Sequence, residues 1–319
     1  MLSYDRRPVD PIQLLEQMPR KHYTFIVHGA RADRPDLRQM VSWVRDRGHA
    51  VEVVITWNAG DGETLSARAA DQGTDCVIAC GGDGTLNEVV NGLDGRDVPL
   101  GVVPLGTAND FARQTGIPED ADHAMDVILR RKPVRIDTAS MNGRRFLNVS
   151  TGGVGAEATQ QTPADAKASL GPLAYAITAV RMLAGQQQRH ANFTSAGFGL
   201  DVDFLAFAVG SARVTGGGTM MTPDASVTDG LLDLCVIEAM SRRDFARLSL
   251  SVKKGEHLGL PGVHYAQLPW LKVVGSESLS VNLDGEGVEA QSCDYRARRA
   301  DLLVHVLHLP GEEGKSVGL

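Results

Sequence analysis

Short apolar runs alternate with amphipathic stretches over the first part of the chain. The runs at residues 23–27, 51–57 and 76–80 have the length and continuity of buried strands. Apolar residues at helical spacing over 37–44 predict a helix that ends at a glycine, and a small-residue helix is predicted over 64–71. Strands that alternate with helices at this spacing predict a parallel sheet with helices on both faces.

The pattern changes after Pro133, where short alternating segments replace the alternation of strands and helices. Such segments predict antiparallel strands, at 135–141, 144–149, 201–209, 231–237, 271–274, 279–283 and 302–307. Further helices are predicted at 11–17, 122–131 and 166–183, and from the capping sequence at Ser241. We therefore predict an α/β N-terminal domain over residues 1–133 and a larger, β-rich C-terminal domain over 134–307.

Composition limits the classes of partner and compartment. The chain has 319 residues, enough for two domains, with 43% hydrophobic and 22% charged residues. Its net charge of −7 argues against a nucleic-acid partner. No apolar run reaches the ~20 residues of a membrane span, so any membrane contact is expected to be peripheral. The four cysteines show no metal-ligand spacing and predict reduced thiols in the cytoplasm.

The candidate chemistry is concentrated in a glycine-rich stretch at 81–88, Gly-Gly-Asp-Gly-Thr-Leu-Asn-Glu. It joins the strand at 76–80 to a predicted helix, which Thr85 is expected to cap in a capping box with Glu88. Glycines let a backbone approach a ligand, and a helix N-terminus favours an anion, so the stretch predicts a phosphate site. Because Asp83 would repel phosphate unless a metal ion or a hydroxyl lay between them, it points to nucleotide and metal chemistry. An ordinary β-turn remains the structural alternative.

A second stretch has the same design. The apolar strand at 99–103 leads into Pro-Leu-Gly-Thr-Ala-Asn-Asp-Phe-Ala-Arg at 104–113, which again predicts a strand, a Gly-Thr turn and a helix. Successive turns of this kind lie side by side at the carboxyl edge of a parallel sheet, where ligands bind. Thr56 ends the second predicted strand at the same edge, although it could equally be an ordinary β-branched strand residue.

Together the two stretches resemble the diacylglycerol kinase catalytic domain family, and most closely its small bacterial lipid kinases of the YegS type. The resemblance continues through 222–232 and 282–286 and covers about residues 23–310. It implies an α/β N-terminal domain with a parallel sheet, a β-sandwich-like C-terminal domain and a site in the cleft between them. It also implies that residues 308–319 return to the first domain.

The resemblance assigns residues to nucleotide and catalysis. The expected nucleotide-binding residues are Thr56, Gly81, Gly82, Asp83, Gly84, Thr85, Leu86, Asn87, Glu88, Gly106, Thr107 and Asn109. Asp83 is also expected to be catalytic, and Glu286 is the expected general base for the attacking hydroxyl. The pattern alone favours a solvated turn carboxylate at Glu286 and a turn-forming role for Asp284.

A structural metal is implied in the loop before the strand at 231–237. Matched to the family, its ligands would be Ser226, Asp229 and Leu231, and their hard oxygens suit Mg²⁺ or Ca²⁺. An Asx turn at Asp229 is the alternative. The chain departs from the family at Ser211 and Ala212, where the family has Asn-Gly, which leaves the loop geometry and substrate preference open.

The resemblance predicts a kinase that uses ATP and Mg²⁺ to phosphorylate the hydroxyl of a lipid at the membrane surface. Diacylglycerol-like and phosphatidylglycerol-like acceptors are the leading candidates. A kinase for a soluble acceptor such as NAD, and a catalytically silent nucleotide or lipid sensor, are the alternatives. The sequence leaves the lipid, the nucleotide preference and a homodimer open.

A basic segment of the second domain is a candidate for contact with lipid. It carries Arg242, Arg243, Arg247, Lys253 and Lys254 on a predicted helix that also contains Phe245, Leu248, Leu250 and Val252. The alternative is an ordinary surface helix with its apolar face in the core.

Overall fold

A computed structural model describes residues 20–153, 189–310 and 312, so the helices predicted at 11–17 and 166–183 lie outside the described residues. The helices are α1 (Pro35–Asp46), α2 (Asp61–Asp71), α3 (Asp83–Gly92), α4 (Asp110–Gln114), α5 (Ala121–Arg130) and α6 (Arg242–Lys254). The strands of the first half are β1 (His22–His28), β2 (Ala50–Thr56), β3 (Cys76–Gly81), β4 (Leu100–Pro104), β5 (Val134–Met141), β6 (Arg144–Phe146) and β7 (Val149–Gly153). Those of the second half are β8 (Arg189–Ser195), β9 (Phe198–Gly210), β10 (Leu232–Glu238), β11 (Val263–Leu268), β12 (Trp270–Leu283) and β13 (Glu286–Val304).

The N-terminal part is built on a parallel sheet in the order β2-β1-β3-β4. Every residue of β3 and β4 is buried, as expected for central strands covered on both faces. The apolar face of α1 packs on this sheet through Leu37, Met40 and Val44. The predicted α/β architecture is therefore confirmed.

The C-terminal part is antiparallel and folds back on itself. Strands β7 and β8 both pair with β9 and β12. They contact opposite ends of those two strands, which closes a sandwich-like core. Phe193, Phe204 and Phe207 meet edge to face inside it, with ring centroids 5.5–5.9 Å apart. The predicted β-rich second half is confirmed.

One long strand connects the two parts. Strand β13 pairs first with β12, then with β5, and its last residue, Val304, lies beside Leu100 of β4. The chain continues along the first domain, where the amides of His305 and Leu307 donate to carbonyl oxygens of Leu100 and Thr115. The two halves therefore share one continuous sheet, and most of the segment predicted to return, 308–319, lies outside the described residues.

Three predicted elements differ from the structure. Residues 144–149 form two strands, β6 and β7, because the amides between them turn towards a carboxylate of the second domain. The strands predicted at 271–274 and 279–283 are one strand, β12, with an irregularity after Val274. Most of β13 was missed because its outward positions are polar and charged, which hides a strand from a hydrophobic pattern.

Candidate active site

The two glycine turns lie against each other at the carboxyl edge of the parallel sheet. A Cβ added to Gly106 would lie 2.5 Å from the Cα of Gly82, so only glycine fits there without movement of the backbone. The amide of Leu105 donates to the carbonyl oxygen of Gly81 at 2.7 Å and fixes the first turn to the second. The sequence prediction that the turns adjoin is confirmed, and the paired turns present backbone where a ligand could approach.

Asn109 shapes the second turn from within. It adopts a left-handed conformation with φ of 48°, which asparagine tolerates better than most residues. Its Oδ1 accepts from the amide of Gly106 at 3.0 Å, and its Nδ2 donates to the carbonyl oxygen of the same residue at 3.1 Å. Thr107 is exposed at the tip, so its hydroxyl is accessible from the cleft.

The N-terminus of α3 lacks a side-chain cap, and the predicted capping box is wrong. Gly82 is the N-cap residue, and Thr85 lies one turn further on, buried against Gly81. Glu88 accepts instead from the amides of Gly60 and Gly62, at 2.9 and 2.8 Å, and so holds the loop between β2 and α2. The first amides of α3 are thereby free of side-chain caps, as an anion site at a helix start requires.

The other predicted nucleotide residues lie at different depths. Gly84 is exposed at the start of α3, whereas Leu86 is buried in the core of the first domain. Asn87 is also buried, and its Nδ2 donates to the carbonyl oxygen of Arg145 and to Asp284. Thr56 is buried at the end of β2, with β1 between it and the strand that carries the first turn.

Asp83 is partly buried among other carboxylates. Burial, followed by the charges of Asp110 and Asp284, raises its pKa to about 6. Its one hydrogen bond among the described residues is long, 3.5 Å from the amide of Phe111. Asp110 is different because its carboxylate accepts from the amide of Gly217, in the second domain, at 3.0 Å. Asp83 therefore retains oxygen lone pairs that a hard cation could take.

Asp284 is the tie between the two domains at this site. Its buried carboxylate accepts from the amides of Leu147, Asn148 and Val149, at 2.6, 3.1 and 3.3 Å, and from Nδ2 of Asn87 at 3.3 Å. Its φ of 46° also makes it a turn residue, as the sequence predicted. The tie itself was missed, because its partners lie more than 130 residues away in the chain.

Glu286 stands at the first position of β13 and is held by an arginine. Arg144 donates to Oε2 of Glu286 through Nε at 3.0 Å, and its Nη2 lies 2.9 Å from the same oxygen. The same guanidinium reaches Glu63 of α2 at 3.1 Å. Burial lowers the pKa of Arg144, but the two carboxylates outweigh it and the net shift is upward. The carboxyl group of Glu286 is thus about one-third exposed and fixed in orientation.

The neighbouring Arg145 is buried and structural. Its side chain is 1% exposed, donates to the carbonyl oxygen of Val90 at 2.7 Å and pairs with Asp301 at 2.5 Å. Burial lowers its pKa, and the charge of Asp301 opposes that shift. Neither arginine was among the predicted site residues, although two adjacent arginines inside a predicted strand are a signal that could have been followed.

Ser211 and Ala212, at which the chain departs from the family pattern, belong to a polar seam formed with Gln114, Asn148 and Arg213. The amides of Ser211 and Ala212 both donate to the carbonyl oxygen of Asn148, at 2.9 and 3.0 Å. Gln114 of α4 donates to Oδ1 of Asn148 at 2.7 Å and accepts from the amide of Arg213 at 3.2 Å. Ser211 and Ala212 are buried, so their substitution acts on the contact between domains.

The loop predicted to hold a metal forms an Asx turn in this structure. Oδ1 of Asp229 accepts from the amide of Leu231 at 2.9 Å, and the hydroxyl of Ser226 lies 3.2 Å from that of Thr228. No cluster of three or more His, Cys, Asp or Glu side chains that could hold a metal exists within the described ranges. Carbonyl oxygens could still complete a site around Asp229, and the ligand set Ser226, Asp229 and Leu231 stays a prediction.

Two global expectations also have structural outcomes. All four cysteines are free and buried. Burial raises their thiol pKa values, to about 12 at Cys76. Of the helices in the described part of the chain, none is long and apolar enough to cross a membrane.

Comparison with protein families matches both halves of the chain. The diacylglycerol kinase catalytic domain matches residues 22–141, and the YegS C-terminal NAD kinase beta sandwich-like domain matches 148–304. A probable lipid kinase YegS-like of Pseudomonas putida is 37% identical over 88% of this chain and 94% of its own length. Another from Xanthomonas campestris pv. campestris is 36% identical over 91% of this chain and 97% of its own length.

Solved structures agree on the fold. A putative diacylglycerol kinase from Bacillus anthracis superposes with a TM-score of 0.77 at 21% identity, over 91% of this chain and 98% of that chain. A second structure of a putative diacylglycerol kinase from the same organism gives 0.76 at 22% identity, over 90% and 97%. These matches confirm the predicted two-part fold and the resemblance on which the site residues were assigned.

Proposed function

The chain belongs to the diacylglycerol kinase catalytic domain family, and from that premise we propose that it is an ATP-dependent lipid kinase. The proposed reaction moves the γ-phosphate of ATP to a hydroxyl group of a lipid. One observation carries the proposal more than any other. The uncapped start of α3 carries the partly buried Asp83, and Asp284, two residues before Glu286, accepts a hydrogen bond from Asn87 of the same helix.

The paired glycine turns are the proposed nucleotide cradle. Gly82 and Gly106 bring two backbone segments close together, and the start of α3 offers amide groups and a positive dipole end to phosphate. Gly84 and Thr107 are exposed at the cradle and are proposed contacts. Other predicted nucleotide residues are proposed to support the turns without contacting the nucleotide: Thr85, Leu86, Asn87, Glu88 and Asn109. Hydrogen bonds of Glu88, Asn87 and Asn109 within the protein support this role.

Asp83 is the proposed ligand of a magnesium ion that accompanies ATP. Its oxygens are hard ligands, and burial and the charges of Asp110 and Asp284 raise its pKa, which a bound cation would offset. A divalent cation supplies charge neutralisation for the phosphates and favours the ionised form of Asp83. The separate structural site at Ser226, Asp229 and Leu231 is proposed for Mg²⁺ or Ca²⁺.

Glu286 is the proposed general base. Its carboxylate oxygen accepts the proton of the lipid hydroxyl as the hydroxyl oxygen bonds to the γ-phosphorus. The bond from that phosphorus to the β,γ-bridging oxygen breaks, ADP is the leaving group, and the proton later passes from Glu286 to solvent. Arg144 occupies one side of the carboxylate. It leaves Oε1, which has no hydrogen-bond partner among the described residues, able to face the hydroxyl. Because Arg144 also holds Glu63 on α2, it links the base to the first domain.

The acceptor is proposed to be a diacylglycerol-like or phosphatidylglycerol-like lipid, reached from the cytoplasmic side by peripheral contact. The family and the relatives named as probable lipid kinases support this class. The Ser211-Ala212 substitution in the seam is the proposed place to look for a difference in acceptor preference.

The test is transfer of radiolabelled phosphate from γ-labelled ATP across a panel of acceptors. Diacylglycerol and phosphatidylglycerol in detergent micelles should be labelled, and NAD and soluble alcohols should not. Glu286→Gln and Asp83→Asn should each abolish labelling, while Asp122→Asn, an exposed substitution on α5, should leave it unchanged. Labelling of NAD alone would replace the proposal with a soluble-acceptor kinase, and absence of labelling with ATP still bound would favour a sensor.

A further inference from the structure

The outer face of α6 carries a basic ridge whose composition differs from the rest of the chain. Arg243, Arg247, Leu250 and Lys254 follow at intervals of four, three and four residues, which places them on one side of a helix. Leu250 is 71% exposed in the middle of the three cations. The side chain of Arg242 lies outside the described residues, so the ridge is defined by these four.

The apolar face of α6 is already occupied. Phe245, Leu248 and Val252 are buried and pack with strands of the second domain, as the alternative for this helix predicted. The helix is fixed at its start by Ser241, whose hydroxyl accepts from the amide of Asp244. The ridge is therefore presented outward by a helix that cannot turn its apolar face to another partner.

The ridge has few counter-charges in the described part of the chain. Arg243 and Lys254 form no ion pair there, and Arg247 reaches only Asp244, at 4.0 Å with both side chains exposed. Pairs of this kind contribute little and do not neutralise a surface. Glu256 is the exposed acid beyond the C-terminal end of the helix. In a protein with net charge −7, this is a local reversal of sign.

A groove of about 420 Å³ runs along one side of the ridge. Its lining is mainly apolar, with Ala239, Met240, Leu248, Leu260 and Pro261. Its charged lining residues are Arg247, Asp244 and Glu238, and Nε2 of His264 lies 2.5 Å from the carboxylate of Glu238. Leu260 is itself 38% exposed. Cations beside an exposed leucine and an apolar groove match a surface that is negatively charged above and apolar below, which describes an anionic lipid bilayer.

We propose that the ridge Arg243–Arg247–Leu250–Lys254, with its groove, docks the protein on anionic membranes. The cations lie at the level of the headgroups, and Leu250 enters the region below them. The role of this docking surface depends on the proposed lipid kinase activity, because docking would bring the enzyme to the membrane that holds its acceptor. Binding itself requires no turnover and can be measured without it.

The test is flotation of the full-length protein with phosphatidylcholine vesicles, alone or with about 30 mol% phosphatidylglycerol. Wild-type protein should bind the anionic vesicles and not the neutral ones, and rising salt should weaken the binding. The variant Arg243→Gln/Arg247→Gln/Lys254→Gln should bind about a hundredfold more weakly, since each cation near such a surface contributes about fivefold. Leu250→Ser should bind more weakly than wild type at low and at high salt, because its loss is apolar and not electrostatic.

A matched control removes three charges elsewhere. Arg38, Arg68 and Lys272 are exposed, so Arg38→Gln/Arg68→Gln/Lys272→Gln changes the net charge equally and should bind like wild type. Equal losses in both triple variants, or no loss in the ridge variant, would overturn the docking surface. Phosphorylation of a short-chain, water-soluble lipid should be the same in all variants. If no lipid is phosphorylated by any of them while vesicle binding follows the ridge, the proposed function fails and the docking surface stands.

Discussion

The polar residues of the candidate site fall into two groups, those whose polar atoms are bound within the protein and those that have hydrogen-bonding capacity left. Asp284, Asn87 and Glu88 each have their polar atoms taken up by backbone or side-chain groups of the protein. Asp83 and Glu286 do not, since one has a single long hydrogen bond and the other is bound on one oxygen only. Groups that the fold leaves with spare hydrogen-bonding capacity are those that a substrate or an ion can use.

The raised pKa of Asp83 makes a prediction about stability. A pKa of about 6 instead of 3.8 means that the folded state holds this proton more tightly than the unfolded state. The free energy of unfolding should therefore fall as pH rises from about 4 to about 6 and remain lower above that range. Asp83→Asn removes the buried charge, so it should be more stable than wild type at pH 7 by at most about 3 kcal/mol.

Urea unfolding at pH 4 and pH 7 measures this difference, which should vanish near pH 4. Mg²⁺ should raise the stability of wild type at pH 7 by more than it raises that of Asp83→Asn, which keeps the proposed site at Asp229. A variant that is less stable than wild type at pH 7 would show that the carboxylate is not penalised in the fold.

Arg144 makes a second prediction at the residue scale. Arg144→Gln should lower kcat about tenfold and leave the KM for ATP unchanged, because the guanidinium orients Glu286 and does not lie in the glycine turns. Arg144→Lys should restore part of the loss, since a lysine keeps the charge but not the two-nitrogen contact. Steady-state kinetics on a soluble short-chain lipid measures both, and a rise in the KM for ATP at constant kcat would remove Arg144 from the proposed role.

At the scale of elements, the site is made where elements end or break. The turns follow β3 and β4, Glu286 starts β13, and the gap between β6 and β7 supplies three amides to Asp284. The loop at Ser226–Leu231 also lies at a strand start, and Gly230 donates its amide to Asp137 of β5 at 2.6 Å. A ligand in that loop would therefore act on the contact between β5 and β10.

This placement predicts how the loop responds to metal. If Asp229 ligates a cation, Mg²⁺ or Ca²⁺ should raise the Tm of wild type, and Asp229→Ala should lose the part of that increment that does not depend on Asp83, since binding to the folded state alone stabilises it. Differential scanning fluorimetry with each ion and with EDTA measures this, with Asp224→Ala, an exposed change in the same loop, as the control. Equal melting temperatures in all conditions for both variants and wild type would leave the Asx turn as the whole role of Asp229.

At the scale of the whole molecule, one sheet and a buried arginine join the halves. Strand β13 belongs to both, and Arg145 connects Val90 of α3 with Asp301 of the same strand. Because these contacts cross between the two cores, we expect the described parts to unfold together.

Arg145→Leu tests this coupling. The variant removes one of two cations from Asp301, since Arg298 still lies 3.0 Å from that carboxylate, and it also removes the donor to Val90, so it should cost about 3 kcal/mol. Calorimetry should show one transition for wild type and either a much lower Tm or two transitions for the variant. Arg144→Leu, next to it but one-third exposed, should cost less than about 1 kcal/mol. Equal costs for the two arginines would contradict the division between them.

The sequence predicted the features that depend on residues close together in the chain. The parallel strands, the two glycine turns and the Ser241 cap follow from residues close together in the chain. The capping box at Thr85 and Glu88 was wrong because a contact with Gly60 and Gly62, 26 residues or more away, wins over the local one. The tie at Asp284 and the pair Arg144–Glu286 could not be predicted, since they depend on how two domains meet.

The position of β13 has a consequence for synthesis of the protein. Strand β4 pairs with β3 early, but the residues that contact its far edge, Val304 and His305 beside Leu100, are made about 200 residues later. At ribosomal rates of about 5–20 residues per second, that edge waits for roughly 10–40 s. During that interval the nascent first domain exposes an unpaired apolar strand, which other chains could join. The N-terminal domain is therefore synthesised first but completed last, and we expect chaperones to bind it during that interval.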